Sequence, residues 1–219
     1  MLRIVKLLLI GGMVALVPLT PFSDTPLVDD AMLTRLQNDY SERAVKRGKA
    51  VNQLIDSLQD KAIDQQLTEI NRFFNQFSYR EDIDHWGQKD YWATPEEFIG
   101  TQQGDCEDFV IAKYFALRKL GVPDKKLFLT YVKHLELNVA HMVLSYFETP
   151  RSNPLILDNY NKAIVSGRER KDLLPVYSFN ADSLFLNNAS AGLGKSLPTD
   201  KIKNSKWRKL LDDIRNNQS

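Results

Sequence analysis

The chain has 219 residues, of which 43% are hydrophobic and 26% charged, and this globular composition excludes global disorder. The length fits one domain with room for a sizeable core. The formal net charge is +1, so there is no overall electrostatic attraction to nucleic acid or to an anionic membrane.

The first residues have the layout of a secretory signal. Two basic residues precede an uncharged run over residues 7–17, and Pro18 ends that run. The run is too short for a comfortable membrane span. We therefore predict a signal peptide or an N-terminal anchor over residues 1–22, and a single domain over residues 29–219.

Helices are predicted first along the chain. Apolar residues recur at three- and four-residue steps over residues 29–77, and Gly48 is predicted to bend this stretch or divide it into two helices. The aromatic and charged residues 78–92 predict a surface loop. Thr94, followed by Pro95 and Glu97, predicts a helix that begins with a capping box.

A further helix is predicted to begin at Asp105 or Cys106 and to end at Gly121. Its apolar side carries residues such as Phe109 and Phe115. Its three basic residues are predicted to lie outside that side: Lys113, Arg118 and Lys119.

Downstream, the apolar period changes to two. Strands are predicted over residues 126–135, 138–147 and 154–159, with shorter ones over 176–179 and 183–186 and a final amphipathic helix over 199–215. A tight turn near residues 136–138 is predicted to join the first two strands. Helices followed by antiparallel strands predict an α+β domain.

The only cysteine, Cys106, stands among the carboxylates Asp105, Glu107 and Asp108. Negative neighbours raise the pKa of a thiol, whereas the N-terminus of a helix stabilises a thiolate. Cys106 is therefore either a nucleophile or a small buried residue beside a helix cap. The residues alone leave both interpretations open.

His141 lies in an otherwise apolar strand, and Asp158 ends the next strand. If the two strands pair antiparallel, Asp158 can reach one imidazole nitrogen while the other nitrogen faces the helix of Cys106. This is the order nucleophile, base and orienting carboxylate. His85 and His134 are the competing bases, and we interpret both as solvated surface residues.

Three segments carry a family resemblance: WATPEEFIGTQQGDCEDFVIAKYFALRKLG, then AHMVLSYF, then LILDNY. In this order they resemble the bacterial transglutaminase-like cysteine proteinases, and within them the LapG-type periplasmic proteases. The resemblance implies a papain/transglutaminase-like fold, with N-terminal helices and a nucleophile-bearing helix packed on an antiparallel sheet. It also implies Cys106, His141 and Asp158 as the catalytic residues.

The resemblance further implies a calcium cofactor bound by Asp105 and Glu107, with Asp108 a less favoured third ligand. Positions two apart on a regular helix point about 200° away from each other. Asp105 must therefore lie in the turn before the helix if both acids are to reach one ion. The alternative is that these acids only complement the helix dipole.

By resemblance, the protein is expected to be a periplasmic endopeptidase, retained at the inner membrane if the signal is not cleaved. Its expected substrate is a large surface adhesin, cut near the adhesin's N-terminus to release it and disperse a biofilm. Its expected partner is an inner-membrane cyclic-di-GMP receptor that holds the protease in check. Two alternatives remain: a transglutaminase or amidase with the same triad, and a catalytically silent binding module.

Overall fold

The computed structural model describes residues 27–181, 183–187, 193–197 and 205–217, so the predicted signal segment lies outside the described residues. The described helices are α1 (Asp30–Arg35), α2 (Glu42–Leu58), α3 (Ile63–Phe74), α4 (Asp82–His85), α5 (Pro95–Thr101), α6 (Cys106–Lys119) and α7 (Ser205–Asn217). The described strands are β1 (Ser78–Tyr79), β2 (Gln103–Gly104), β3 (Leu127–His134), β4 (Val139–Tyr146), β5 (Leu155–Leu157), β6 (Val165–Ser166), β7 (Leu173–Phe179), β8 (Leu184–Leu186) and β9 (Lys195–Leu197).

The N-terminal helical segment divides at Ser41, after a π-helical turn, and again after α2. Ser41 caps α2, because its hydroxyl accepts a hydrogen bond from the N–H of Ala44 at 3.2 Å. Gly48 lies inside α2, where an added Cβ would stand 2.9 Å from Cδ1 of Leu36. The prediction that Gly48 divides the segment into two helices is wrong, because α2 runs through this glycine, whose missing side chain lets the helix pack closely on the preceding turn.

The helix start at Thr94 is confirmed. The Thr94 hydroxyl accepts from the N–H of Glu97 at 3.2 Å, and the Glu97 carboxylate accepts from the N–H of Thr94 at 2.7 Å. Cys106 is the first residue of α6, and Asp105 is its N-cap. Gly121 follows α6 with φ +84°, a left-handed conformation that favours glycine.

The larger sheet has seven strands in the order β6-β5-β4-β3-β7-β8-β9, and all neighbouring pairs are antiparallel. The central β3 and β4 are joined by the predicted tight turn, in which Asn138 has φ 56°. β1 and β2 form a separate parallel pair beside the start of α6. The α+β prediction is confirmed.

Alternation along β4 divides its side chains between two faces. Met142 and Leu144 belong to the main core, against which α6 packs. Val143 belongs to a smaller cluster with Val132 and Ile156 on the opposite face. By this alternation, His141 shares the face of Val143, as the sequence pattern predicted.

Lys113 departs from the prediction for α6. Its side chain is fully buried rather than placed outside the apolar side, and Lys119 is also buried. At the other end of the chain, α7 buries Trp207 and Leu210 in the main core. No helix within the described residues is long and apolar enough to cross a membrane.

Candidate active site

Cys106 lies at the junction of α6 and β4. The main-chain N–H of Met142, which follows His141 in β4, points toward the Cys106 sulfur. The thiol itself donates to Oε2 of Glu107, with 3.2 Å between sulfur and oxygen. The nucleophile predicted from the sequence therefore stands beside the strand that carries the predicted base.

The charges around Cys106 oppose thiolate formation. Burial, followed by the carboxylates of Glu107 and Asp105, raises the pKa of the thiol well above its ordinary value. The Met142 N–H acts in the opposite direction but does not outweigh them. A reactive thiolate at this position needs a positive charge that compensates for the acids.

His141 and Asp158 form the pair that the strand order predicted. β4 pairs with β5 so that Leu144 lies opposite Leu157, and this register places Asp158 on the face of His141. The distance between His141 Nε2 and Asp158 Oδ1 is 2.8 Å. Both side chains are buried, with relative exposures of 9% and 0%.

The Asp158 carboxylate is anchored through both of its oxygens. Oδ1 also accepts from the main-chain N–H of Tyr160 at 2.9 Å, and Oδ2 accepts from Nη1 of Arg170 at 2.8 Å. Burial alone would raise the pKa of Asp158. The hydrogen bonds and charges of His141, Tyr160 and Arg170 outweigh burial and hold that pKa well below its ordinary value.

A second anchor holds the Asp158 main chain. Asn75, just after α3, donates from Nδ2 to the Asp158 carbonyl oxygen at 2.8 Å. Lys113 donates in turn to the Asn75 Oδ1 atom at 2.7 Å. Burial lowers the pKa of Lys113 to about 7, although the charge of Asp158 acts in the opposite direction.

Sequence reasoning missed the three side chains that anchor Asp158, namely Asn75, Lys113 and Arg170. Asn75 and Arg170 carry no local signal, because they reach Asp158 only through tertiary packing. Lys113 did carry one, since it follows the buried Phe109 by four residues, which on a helix is the same face.

The competing histidines are placed differently from the prediction. His134 is 1% exposed, so its interpretation as a solvated residue is wrong. His134 ends β3, the strand beside β4. Its ring lies edge-on to those of His141 and Tyr160, with centroid distances of 6.1 and 5.0 Å. His85 is half-buried against Trp86 at the end of α4, so it is not a freely solvated side chain either.

Five acids surround the start of α6. Carboxylate oxygens approach within 4.8 Å of one another in two overlapping groups, namely Asp82, Asp90 and Glu107, and Asp82, Asp105 and Asp108. Asp105 and Glu107 also form such a group with Cys106. Sequence reasoning missed Asp82 and Asp90, although the acid-rich stretch REDIDHWGQKD was a signal for them.

The backbone explains how Asp105 and Glu107 come together. Asp105 is extended, with φ −102° and ψ −162°, so it lies before the helix, whereas Glu107 is already helical. Asp108 is engaged elsewhere, because its two oxygens accept from the N–H groups of Ala93 and Asp105 at 2.8 and 3.2 Å. Asp108 therefore holds the loop before α5 and the start of α6 together.

The acid cluster has the chemistry of a hard-cation site. Oδ1 of Asp82 and Oδ1 of Asp105 are buried without a hydrogen-bond partner among the described residues. Burial raises the pKa of Asp82 to about 6, and burial together with Glu107 raises the pKa of Asp105 to about 9. Buried oxygens without donors, in a region of excess negative charge, fit a cation that prefers oxygen ligands.

Solved structures of related proteins share this fold. LapG from Legionella pneumophila matches with 42% sequence identity and a TM-score of 0.72, over 87% of this chain and 99% of that one. For EGTA-treated LapG from the same organism, the identity is 43%, the TM-score 0.74, and the coverage 87% and 100%. For calcium-bound LapG, the identity is 44% and the TM-score 0.69, and the match covers 83% of this chain and 97% of that one. The chain matches no curated protein sequence.

The family model of the bacterial transglutaminase-like cysteine proteinases matches residues 37–171, a range that begins in the N-terminal helices and includes Cys106, His141 and Asp158. This match, together with more than 40% identity to LapG over most of both chains, confirms the resemblance seen in the sequence. The chain belongs to the bacterial transglutaminase-like cysteine proteinases, and its activity is that of a cysteine protease.

Proposed function

We propose that this protein is an exported, calcium-dependent cysteine endopeptidase that uses Cys106 as nucleophile, His141 as base and Asp158 as orienting carboxylate. The observation that carries the proposal is the buried 2.8 Å contact between His141 and Asp158, on a strand whose next residue, Met142, directs its main-chain N–H toward the Cys106 sulfur. A histidine held by a carboxylate next to a helix-terminal thiol is the arrangement that nucleophilic acyl transfer requires.

In the first half-reaction, the Cys106 sulfur attacks the carbonyl carbon of the scissile peptide bond. His141 Nε2 is hydrogen-bonded to Asp158, so the other ring nitrogen, Nδ1, is the one that accepts the thiol proton. Nδ1 then returns this proton to the leaving amine. Main-chain N–H groups in the first turn of α6 are suited to stabilise the oxyanion that develops on the carbonyl oxygen.

In the second half-reaction, water attacks the thioester carbon, and His141 accepts a proton from that water. The C–S bond breaks, the peptide leaves with a new carboxylate, and the proton returns to the Cys106 sulfur. Asp158 keeps its charge throughout and holds the imidazole in one tautomer and one orientation.

Calcium, when bound, supplies the positive charge that offsets the carboxylates around Cys106. Asp105 and Glu107 would hold the ion, and Asp82 at the start of α4 and Asp90 in the loop after α4 are suited to contribute to an oxygen shell of six to eight ligands. The similarity to a LapG that was solved in calcium-bound and EGTA-treated forms supports this choice of ion.

The substrate that we propose is a large surface adhesin, cut near its N-terminus to release it from the cell and disperse a biofilm. The proposed partner is an inner-membrane cyclic-di-GMP receptor that sequesters the protease in the periplasm. The support for both is the similarity to LapG-type proteases, together with an N-terminal segment that has the pattern of an export signal.

A cleavage assay tests the function directly. The purified protein is incubated with the N-terminal region of candidate adhesins encoded near its gene, with calcium or with EGTA, beside a Cys106→Ala control. We expect cleavage by the calcium-loaded wild type alone. Incorporation of a labelled amine into a glutamine peptide, without hydrolysis, would instead identify a transglutaminase, and absence of both reactions would identify a binding module.

The receptor is tested separately. The periplasmic domain of an inner-membrane cyclic-di-GMP receptor from the same cells is expected to co-purify with the protease and to slow adhesin cleavage. In cells, the amount that co-purifies should rise when cyclic-di-GMP is abundant. Equal recovery at high and low cyclic-di-GMP would rule out this mode of control without affecting the assignment of the protease.

A further inference from the structure

We propose that Arg170 is a positioning residue of the catalytic site, which fixes the rotation of the Asp158 carboxylate and through it the orientation of the His141 imidazole. The inference rests on the proposed triad and adds a residue that lies 12 positions beyond Asp158 in the chain.

The other contacts of Asp158 leave one carboxylate oxygen, Oδ2, to Arg170. Its main chain is already held, because Asn75 donates to its carbonyl oxygen. On the carboxylate, His141 and the Tyr160 N–H both bind Oδ1, at 2.8 and 2.9 Å. Both donors act on Oδ1, so without Arg170 the rotation of the carboxylate about Cβ–Cγ would be restrained at one oxygen only.

Arg170 supplies the contact that stops this rotation. Its Nη1 donates to Asp158 Oδ2 at 2.8 Å, on the oxygen opposite the one that His141 uses. Both side chains are almost fully enclosed, with exposures of 3% and 0%, so water competes little for the contact.

The guanidinium is itself held in place. Its Nε and Nη2 atoms donate to the two oxygens of Asp172, at 2.9 and 2.7 Å, while Nη1 is directed at Asp158. A planar fork bound on one side by Asp172 presents Nη1 in a fixed direction, which a flexible ammonium group does not do. The Asp172–Arg170–Asp158 chain therefore transmits a fixed geometry to the imidazole.

A role that is only structural is the competing explanation. Loss of Arg170 leaves Asp158 buried with one oxygen unsatisfied, and this destabilises the fold whether or not catalysis depends on orientation. The test must therefore contain a readout that stability alone does not change. Arg35 provides the matched control, because it forms a similar pair with Glu96, at 2.9 and 2.8 Å, away from the site.

The test measures kcat and KM of calcium-loaded Arg170→Met, Arg170→Lys and Arg35→Met, well below their unfolding temperatures. We expect kcat of Arg170→Met to fall by about 10²-fold with KM unchanged, since a misplacement near 1 Å has an effect of that size. Arg170→Lys should lie between that variant and wild type. Arg35→Met should lose thermal stability but keep its kcat.

A second readout does not need activity. The chain has three histidines, so ¹⁵N-histidine labelling allows the Nε2 proton of His141 to be followed by NMR. This resonance should shift in Arg170→Met and Arg170→Lys but not in Arg35→Met. If Arg170→Met does not fold, Arg170→Lys provides both measurements.

A double-mutant cycle tests whether Arg170 affects kcat through Asp158. In an Asp158→Asn background, Arg170→Met should lower kcat further by less than about threefold, because contacting residues are not additive. An equal loss in both backgrounds, or a wild-type kcat in Arg170→Met, would overturn the inference. If Asp158→Asn or Cys106→Ala were itself fully active, the proposed triad would fail instead, so the two failures are distinguishable.

Discussion

His141 and Asp158 lie on neighbouring antiparallel strands, and their side chains meet at 2.8 Å on one face of the sheet. The register of β4 and β5 produces this contact, because a shift by one residue would move Asp158 to the opposite face. The proposed catalytic pair therefore depends on the same strand pairing that builds the core.

Asp158→Asn keeps the size of the side chain but gives it an amide, whose N–H can donate a hydrogen bond to the histidine and favour the wrong tautomer. We expect kcat to fall by up to ~10⁴-fold, as in serine triads, while the fold is retained. Steady-state cleavage with circular dichroism as a folding check measures this.

The control for that variant is His85→Ala, because His85 lies beside Trp86 rather than at Asp158. It should retain wild-type kcat. An inactive His85→Ala, or a fully active Asp158→Asn, would require a different assignment of the base and its carboxylate.

The Cys106 thiol is expected to change its reactivity with calcium. In the calcium-free protein, burial, Glu107 and Asp105 hold the thiol pKa well above its ordinary value, so iodoacetamide should label Cys106 slowly at pH 7.5. A bound cation should lower that pKa and increase the labelling rate by at least about tenfold, which corresponds to one pKa unit. Mass spectrometry of timed samples measures the rate.

Asp105→Asn provides the control for thiol reactivity. It removes one of the charges that oppose the thiolate, so labelling without calcium should be faster than in wild type, and calcium should accelerate it less. Labelling that is equally slow with and without calcium, and rapid only after unfolding, would identify Cys106 as a core residue.

Much of the fold follows from local signals in the sequence. The capping box at Thr94, the start of α6 and the alternation in β4 depend on residues a few positions apart, and all were predicted. Gly48 was misinterpreted because its close neighbour Leu36 belongs to another element. A sequence pattern does not distinguish a glycine that breaks a helix from one that permits close packing.

The catalytic residues and the first two metal ligands were predicted from chemistry and resemblance, whereas the residues that support them emerged only from the structure. Asn75 lies 83 positions from Asp158, and no local pattern predicts that contact. His134 was taken for a surface residue because it ends a strand, yet it is packed against Tyr160. Burial of polar groups at strand ends depends on which loop covers them.

Gly104 is expected to tolerate no side chain. A Cβ there would stand 2.8 Å from Cβ of Asp108 and 2.9 Å from Cδ2 of Phe98, and it would meet the Asp108 carboxylate more closely still. Gly104→Ala should therefore lower the free energy of unfolding by about 1–3 kcal/mol, the usual cost of overpacking. Thermal unfolding in saturating calcium measures this.

Gly167→Ala is the matched control for overpacking, because its added Cβ would approach Pro154 Cγ at 3.2 Å, where a small shift suffices. Gly104→Ala should also weaken calcium binding, since Asp108 positions the main chain of Asp105. Equal stability of the two variants would contradict the close packing at Gly104.

The acid cluster predicts an unusual dependence of stability on pH in the calcium-free protein. Unfolded aspartates lose their protons near pH 4. In the folded state, burial holds the proton of Asp82 to about pH 6, and burial with Glu107 holds that of Asp105 to about pH 9. Between pH 4 and 9 these two acids therefore hold more protons in the folded state than in the unfolded state, so their contribution makes stability fall as pH rises. Two groups act oppositely: Asp158 only below about pH 4, because its pKa is lowered, and Lys113 only above about pH 7, because burial lowers its pKa to about 7. The fall in stability is therefore steepest below about pH 7.

Calcium should reverse this trend, because it binds the ionised carboxylates and only the folded state assembles them. In EGTA, we expect the unfolding temperature to be lower at pH 8.5 than at pH 5.5 by a few degrees, since 1 kcal/mol corresponds to about 2–4 °C at this chain length. Saturating calcium should raise the unfolding temperature more at pH 8.5 than at pH 5.5.

Asp105→Asn should be more stable than wild type in EGTA at pH 8.5, and its unfolding temperature should respond less to calcium. A wild-type unfolding temperature that does not depend on calcium at either pH would contradict a metal site at these acids, and would leave Asp105 and Glu107 as partners of the helix dipole alone.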